Sequence, residues 1–131
     1  MTYRVDQSST VSPSRQLVEA VLDAVACGSI APGDKLLSVR ALAAEALVNP
    51  NTAARAYRDL EQIGVVEGRN GRGVFVTANG PGIARGMRVE ATLEAFKRAA
   101  AEALRAGHDG AALREVCLLY TSDAADDSKR V

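Results

Sequence analysis

The sequence has no surplus of charge of either sign: 16 lysines and arginines balance 16 aspartates and glutamates across 131 residues. Composition alone therefore gives no reason to expect a polyanionic partner, and such a reading must rest on where the basic residues fall. Soft metal ligands are equally scarce. Two cysteines, Cys27 and Cys117, and one histidine, His108, lie far apart in the chain, which leaves a structural zinc site without ligands. Nothing pairs a cysteine with the histidine as nucleophile and base, so an enzyme with covalent chemistry is not expected. Free, scattered cysteines suit a reducing cytoplasm. Long apolar runs are absent too. The start of the chain carries Arg4, Asp6, Ser8, Ser9 and Thr10 with no apolar stretch behind them, which excludes a signal peptide, and no stretch approaches transmembrane length. The expectation is a cytoplasmic protein that neither spans a membrane nor carries a metal or other cofactor.

What is present is the pattern of a small globular domain with an appendage: 47% of residues are apolar and 24% are charged, within the range of chains that bury a core. After a polar start, in which Tyr3-Arg4-Val5 could add a small strand, the spacing predicts a helix from about Ser12. Ser12 or Ser14 caps it, Pro13 fills its first turn, and Leu17, Val18, Leu22, Val21 and Val25 form its apolar face. Gly28 ends it, and residues 30–34 read as a tight turn. Ser38 caps a short second helix, Val39 to about Ala46, with Leu42 inward. Asn49-Pro50 is a strong start for a third, which runs to about Ile63 and turns Ala53, Ala56, Tyr57, Leu60 and Ile63 inward. Gly64 closes it. Val65-Val66-Glu67 and Val74-Phe75-Val76 are strand candidates, joined by a segment with three glycines and an asparagine that suits a hairpin tip. Gly80-Pro81-Gly82 reads as a hinge. Beyond it Val89, Leu93, Phe96, Ala100 and Leu104 trace one face of a long helix, and Ala112, Leu113 and Val116 begin a fifth. The predicted fold is mostly α: a winged helix-turn-helix domain, three helices plus a β-hairpin wing, over residues 1–78. A two-helix tail over residues 79–116 follows. An apolar stripe beyond a complete small domain needs a partner, and a second copy of the chain is the economical one.

In a helix-turn-helix the second helix of the pair enters the DNA major groove with its N-terminal residues on base edges. Here that start is Asn49, Pro50, Asn51, Thr52 and Arg55. Asparagine can bond adenine twice, threonine a base or phosphate, and arginine guanine or phosphate. Arg40, at the start of the preceding helix, is placed to grip the backbone or reach a base. Arg69, Asn70, Gly71 and Arg72 form a basic wing tip suited to a minor groove or to phosphates. Asn49 is first a cap, Arg58 reads as a partner of Glu61 or of solvent, and Tyr57 as core. The expected DNA-facing positions from Arg40 to Arg72 are neutral or basic, and this coincidence points to double-stranded DNA. The competing reading is a winged-helix protein-interaction module without DNA binding, which a hydrophobic or acidic recognition surface would favour.

The runs Gly33-Asp34-Lys35-Leu36-Leu37-Ser38-Val39-Arg40-Ala41-Leu42-Ala43, Asn49-Pro50-Asn51-Thr52-Ala53-Ala54-Arg55-Ala56-Tyr57-Arg58-Asp59-Leu60-Glu61 and Gly71-Arg72-Gly73-Val74-Phe75-Val76 resemble the GntR family of bacterial transcription regulators. The match covers about residues 10–77. The short two-helix tail resembles the YtrA-type branch, whose tails mainly dimerise and lack the larger ligand-binding domains found elsewhere in the family. The resemblance implies that Arg40 contacts DNA and that recognition positions fall on Pro50, Asn51, Thr52, Ala54 and Arg55. It places the wing-tip glycine on Gly71. It also implies a repressor that binds a two-fold operator as a homodimer, with room for a small-molecule effector of unknown identity at the dimer interface. Two positions depart from the family pattern: Leu37 stands where proline is usual, and Leu47 where glycine is usual. The stretch from Cys117 to Asp127 departs altogether and resembles peptide translated from sequencing-adapter DNA. The expectation is a tail truncated near Val116, with residues 117–131 non-native or disordered.

Overall fold

The computed structural model describes residues 3–129, with side chains placed as far as Thr121. In chain order the elements are helices α1 (Pro13–Ala26), α2 (Val39–Ala46) and α3 (Pro50–Gln62), strands β1 (Val66–Arg69) and β2 (Gly73–Val76), and helices α4 (Gly80–Arg105) and α5 (Gly110–Lys129). The chain divides into two compact units, Met1–Glu90 and Ala91–Val131. Residues 1, 2, 130 and 131, at the outer ends of the expected first and last segments, lie outside the described residues.

Each of the first three helices starts on a side-chain cap. Ser12 Oγ accepts from the Arg15 N–H at 3.3 Å, Ser38 Oγ from the Ala41 N–H at 3.1 Å, and Asn49 Oδ1 from the Asn51 N–H at 2.8 Å. Such a cap contributes about 1 kcal/mol by satisfying a donor the helix cannot. With their starts fixed, the three helices turn Leu17, Val21, Leu22 and Val25, then Leu42 and Ala46, then Ala53, Ala56 and Leu60 into one core. Val65, Val66 and Val76 of the hairpin region complete it.

The hairpin pairs β1 and β2 antiparallel, with Val66 opposite Val76 and Arg69 opposite Gly73. A third stretch joins its free edge. The Gly33 N–H donates to Val76 O at 2.8 Å, Val76 N–H to Asp34 O at 3.0 Å, and Leu36 N–H to Val74 O at 2.8 Å. The sequence reading treats residues 30–34 only as a turn. Asp34 does close that turn, since its carboxylate accepts from the Ala31 N–H at 2.8 Å. The same stretch also blunts a sheet edge that would otherwise present unpaired backbone groups, and it carries Leu36 into the core.

Two expectations are corrected here. Gly80-Pro81-Gly82 is no hinge but the first turn of α4. Proline is tolerated there because the first-turn N–H has no helical acceptor. Gly80 is held by packing, for a Cβ at this position would lie 2.9 Å from Val65 O and 3.1 Å from Val76 Cγ1. The first unit accordingly extends beyond residue 78: Ala84 is buried, and Ile83 and Met87 pack on the core. Arg88 Nε donates to Asp23 Oδ1 of α1 at 2.6 Å, and Arg85 Nη1 to Ala26 O at 3.4 Å. That second bond caps a helix with no basic residue in its own last turn. The hydrogen bond to Asp23 raises the Arg88 pKa further above its ordinary value. The second correction is at the start, where Tyr3-Arg4-Val5 forms no strand, although Tyr3 is buried in the core.

In the second unit α5 runs from Gly110 to Lys129. No glycine or proline interrupts residues 111–129, so nothing local stops the helix. The facing sides of the two helices leave an apolar groove of about 300 Å³ lined by Phe96, Ala100, Ala103, Leu113, Val116 and Tyr120, among others.

Leu47, which terminates α2, adopts the left-handed conformation at φ 56° and ψ 47°, and is the sole non-glycine with positive φ among the described residues. Its side chain is 85% exposed, so no packing offsets the strain, which is on the order of 1 kcal/mol. Leu47→Gly should raise the melting temperature by about 4 °C, allowing for the extra freedom glycine gives the unfolded chain. A thermal melt followed by circular dichroism checks this, and an unchanged midpoint contradicts the strain.

Candidate nucleic-acid interface

Helix α3 divides its residues between core and solvent. Ala53, Ala56, Tyr57 and Leu60 are buried, which at 3.6 residues per turn turns Asn51, Arg55 and Arg58 outward along one stripe, with the half-buried Thr52 beside it. Pro50 occupies the first turn and Asn49 is the cap. Asn49 Oδ1 is thus committed to the helix backbone, as the sequence predicts.

Tyr57 fixes what precedes. Its hydroxyl donates to Leu37 O at 2.6 Å, one residue before the Ser38 cap of α2. Burial pushes the phenol's pKa well above its ordinary value, so it remains a neutral donor. The residue reaches from the inner face of α3 to the loop that sets the start of α2, and with it the exposed Arg40. Tyr57 is core, as expected, but the sequence does not reveal this bond.

The wing differs in detail from its sequence reading. Arg69 is not a free cation: its Nη2 lies 2.9 Å from Glu67 Oε1, and its guanidinium lies 4.5 Å from the centroid of the Phe75 ring. Arg72, by contrast, is exposed beside Gly71, which holds the turn at φ 70°, and Asn70 is exposed with them. Glu61 does not pair with Arg58. Its carboxylate instead accepts from the Gly68 N–H of the wing at 3.4 Å. Arg40, Arg55, Arg58 and Arg72 have no ion-pair partner among the described residues.

The sequence reading leaves out Lys35. Its backbone bridges to Phe75, and its side chain runs beside β2 toward the wing tip, so that a Cβ on Gly73, the partner of Arg69 next to the turn, would sit 2.7 Å from Lys35 Cε. Gly73 is required by its φ of 120° and not by this approach, since the exposed end of the Lys35 side chain can swing aside. A lysine alternating with the buried Leu36 could have been found from the period of two, had residues 33–36 been read as extended.

The remaining candidates lie on α4. Val89, Leu93, Phe96 and Leu104 are exposed, while Ala100 is half-buried and lines the groove toward α5. Among the described residues no group of histidine, cysteine and carboxylate side chains could hold a metal, and no helix is long and apolar enough to cross a membrane.

Three helices, the last two meeting at a sharp turn and followed by an antiparallel hairpin, make residues up to the wing a winged helix-turn-helix domain. Residues 13–76 match the model of the bacterial regulatory proteins of the gntR family. That segment, just under half of the chain, is similar throughout to the gntR-type domain, and the curated relatives that match it are named as transcription regulators. The chain is 37% identical over 76 residues to the HTH-type transcriptional repressor YtrA of Bacillus subtilis, a match that covers 58% of each protein. The matched stretches span only 50% to 64% of the length of the curated relatives. Among solved structures, a GntR family transcriptional regulator from Listeria monocytogenes superposes with a TM-score of 0.65 at 25% identity, covering 91% of this chain and 98% of that one. YtrA from Sulfolobus acidocaldarius, a GntR-family transcription factor, gives 0.58 at 27% identity over 74% of this chain and 99% of its own.

Tyr57→Phe tests the tie between α3 and the start of α2. Removing the hydroxyl leaves Leu37 O without its donor and should cost roughly 1 kcal/mol. The measurement is the denaturant midpoint, and a midpoint equal to wild type would show the bond to be dispensable.

Proposed function

We propose that this chain is a sequence-specific DNA-binding transcription regulator of the YtrA type, a repressor that binds a two-fold operator as a homodimer. The observation that carries the reading is the exposed stripe of Asn51 and Arg55, with Thr52 beside it, on a helix whose opposite face is core. Its arginine has no ion-pair partner among the described residues, and the domain matches a family of regulators. Helix α3, residues 50–63 in the sequence reading, enters the major groove. Asn51, Thr52 and Arg55 discriminate bases there, Arg40 holds the backbone or a base, and Pro50 and Asn49 set the helix start. The wing tip, residues 68–73, lies on the minor groove or on phosphates, with Arg72 as its principal contact and Arg69 committed to Glu67 and Phe75. The mechanism is non-covalent and needs no cofactor.

Assembly belongs to the tail, residues 79–116. Val89, Leu93, Phe96 and Leu104 expose apolar surface on a helical hairpin, and Ala100 lets a second helix approach closely. The groove beside Phe96 could admit a small hydrophobic effector within a dimer. The match to a repressor named YtrA supports the assignment of branch and sign of regulation.

Selection of bound fragments from random duplexes, followed by sequencing, tests the reading. The wild-type chain should enrich a motif with two-fold symmetry. Arg55→Ala and Arg40→Ala should each cost about tenfold in affinity, and Arg55→Ala should also relax preference within the half-site. Arg72→Ala should weaken binding more than Arg69→Ala. Failure to enrich any motif at low salt would overturn the assignment, and a motif without symmetry would overturn the dimer.

A further inference from the structure

Arg58 lies one turn beyond Arg55 on the outer stripe of α3 and borders a surface groove of about 360 Å³. Ser12, Pro13 and Ser14 of the α1 start form one wall of this groove, and Asn51, Thr52, Arg55 and Arg58 form the other. No carboxylate lines it. The arginine the sequence assigns to Glu61 or solvent makes no ion pair among the described residues, because Glu61 is taken by the wing backbone. Ser14 Oγ lies 3.5 Å from Ser12 Oγ, so two hydroxyls and two guanidinium groups border one groove.

We infer that this groove binds a backbone phosphodiester of duplex DNA, with Arg58 and Ser14 as its principal ligands. The inference rests on the DNA-binding reading above and extends it to the edge of the same stripe that borders the start of α1, where Arg58 and Ser14 have no assigned role. A helix rises about 1.5 Å per residue, so Arg58 stands about 4.5 Å along the axis from Arg55. A helix that presents its first turn to base edges carries its next turn out toward the strand bordering the major groove. A guanidinium and hydroxyls with no carboxylate opposing them suit the charge and the acceptor oxygens of that strand. Such a contact adds affinity and fixes the approach of α3 without reading sequence.

The test compares the full chain with Arg58→Ala, Arg58→Lys and Ser14→Asp on a selected duplex and on a scrambled one across a range of salt. Arg58→Ala should weaken both complexes by about the same factor, near tenfold, and lower the salt slope by about 0.9, while leaving the selected motif unchanged. Arg58→Lys should keep the slope. Ser14→Asp places a carboxylate in the groove and should weaken binding similarly. Because an acidic residue in the first turn of α1 favours that helix, a loss of binding there is not a loss of fold. An unchanged slope in Arg58→Ala, an altered base preference in that variant, or full binding by Ser14→Asp overturns the phosphate site while the DNA reading stands. A wild-type chain that binds neither duplex at low salt overturns the DNA reading, and this site with it.

Discussion

The burial of one side of α3 governs the rest of the first unit. Ala53, Ala56 and Leu60 have no room to rotate within a core shared with α1, α2 and the hairpin region, and packed interiors do not tolerate even small shifts of a helix about its axis. A rotation by one residue, about 100°, would carry Leu60 into water and Arg58 toward the core. Two alanines at the closest approach let α3 sit near its neighbours, and the single large aliphatic side chain supplies about 2 kcal/mol of burial. The positions of Asn51, Thr52, Arg55 and Arg58 follow from that inner face. They need no mutual interaction to be aligned.

Polar ties then register the parts that the core only brings near. Tyr57 binds the loop before α2, Glu61 binds the wing at Gly68, and Thr77 Oγ1 donates to Gly64 O at 2.6 Å where the chain leaves β2. Each bond carries one end in α3 or the residues that follow it and the other in a flanking segment. Helix α3 is thus the reference to which the start of α2 and the wing are set. This arrangement also explains the pairing of charges. Glu61 and Glu67 engage wing groups, Asp23 engages Arg88 on the far side of α1, and the outward arginines of α2 and α3 stay unpaired. A chain with zero net charge thereby concentrates unpaired cations on selected faces, which bulk composition hides.

Most of the helical frame was legible in the sequence because its signals are local. Ser38 and Asn49-Pro50 mark the starts of α2 and α3, and the observed boundaries agree with them. The left-handed backbone at Leu47 agrees with what the family resemblance implies, since glycine is usual at that position. What could not be read depends on neighbours distant in sequence. Pairing of residues 33–36 with β2 is a contact across some forty positions, and the alternation of Lys35 with Leu36 is too short a signal to announce it. The start of α4 at Gly80 was masked because glycine and proline usually punctuate loops, whereas here the glycine is demanded by Val65 O at 2.9 Å. The pairing of Arg69 with Phe75 and Glu67, and the release of Arg58 from Glu61, are likewise choices among several partners at similar separations. Only the fold decides between them.

These charge assignments change how the site is weighed. Read from the sequence, the DNA-facing cations of the wing and α3 are two on the wing, Arg69 and Arg72, and one on α3, Arg55. Geometry moves the balance: the wing tip keeps Arg72, while Arg69 is partly neutralised and held over a ring. Helix α3 has Arg58 beside Arg55, and Lys35 lies along β2 close to the wing tip. Attraction to phosphates falls steeply once a cation has a carboxylate within 3 Å, because the pair presents a dipole in place of a charge. Among the described residues from Arg40 to Arg72, the arginines without an ion pair therefore lie mainly on α2 and α3, with Arg72 alone at the wing tip. A cation carried on a packed helix loses less freedom on binding than one on a hairpin tip, so the same number of phosphate contacts gives tighter and better oriented binding. Orientation matters because Asn51 and Thr52 are short side chains. In the proposed complex they reach base edges only if backbone contacts on both sides hold α3 deep in the groove.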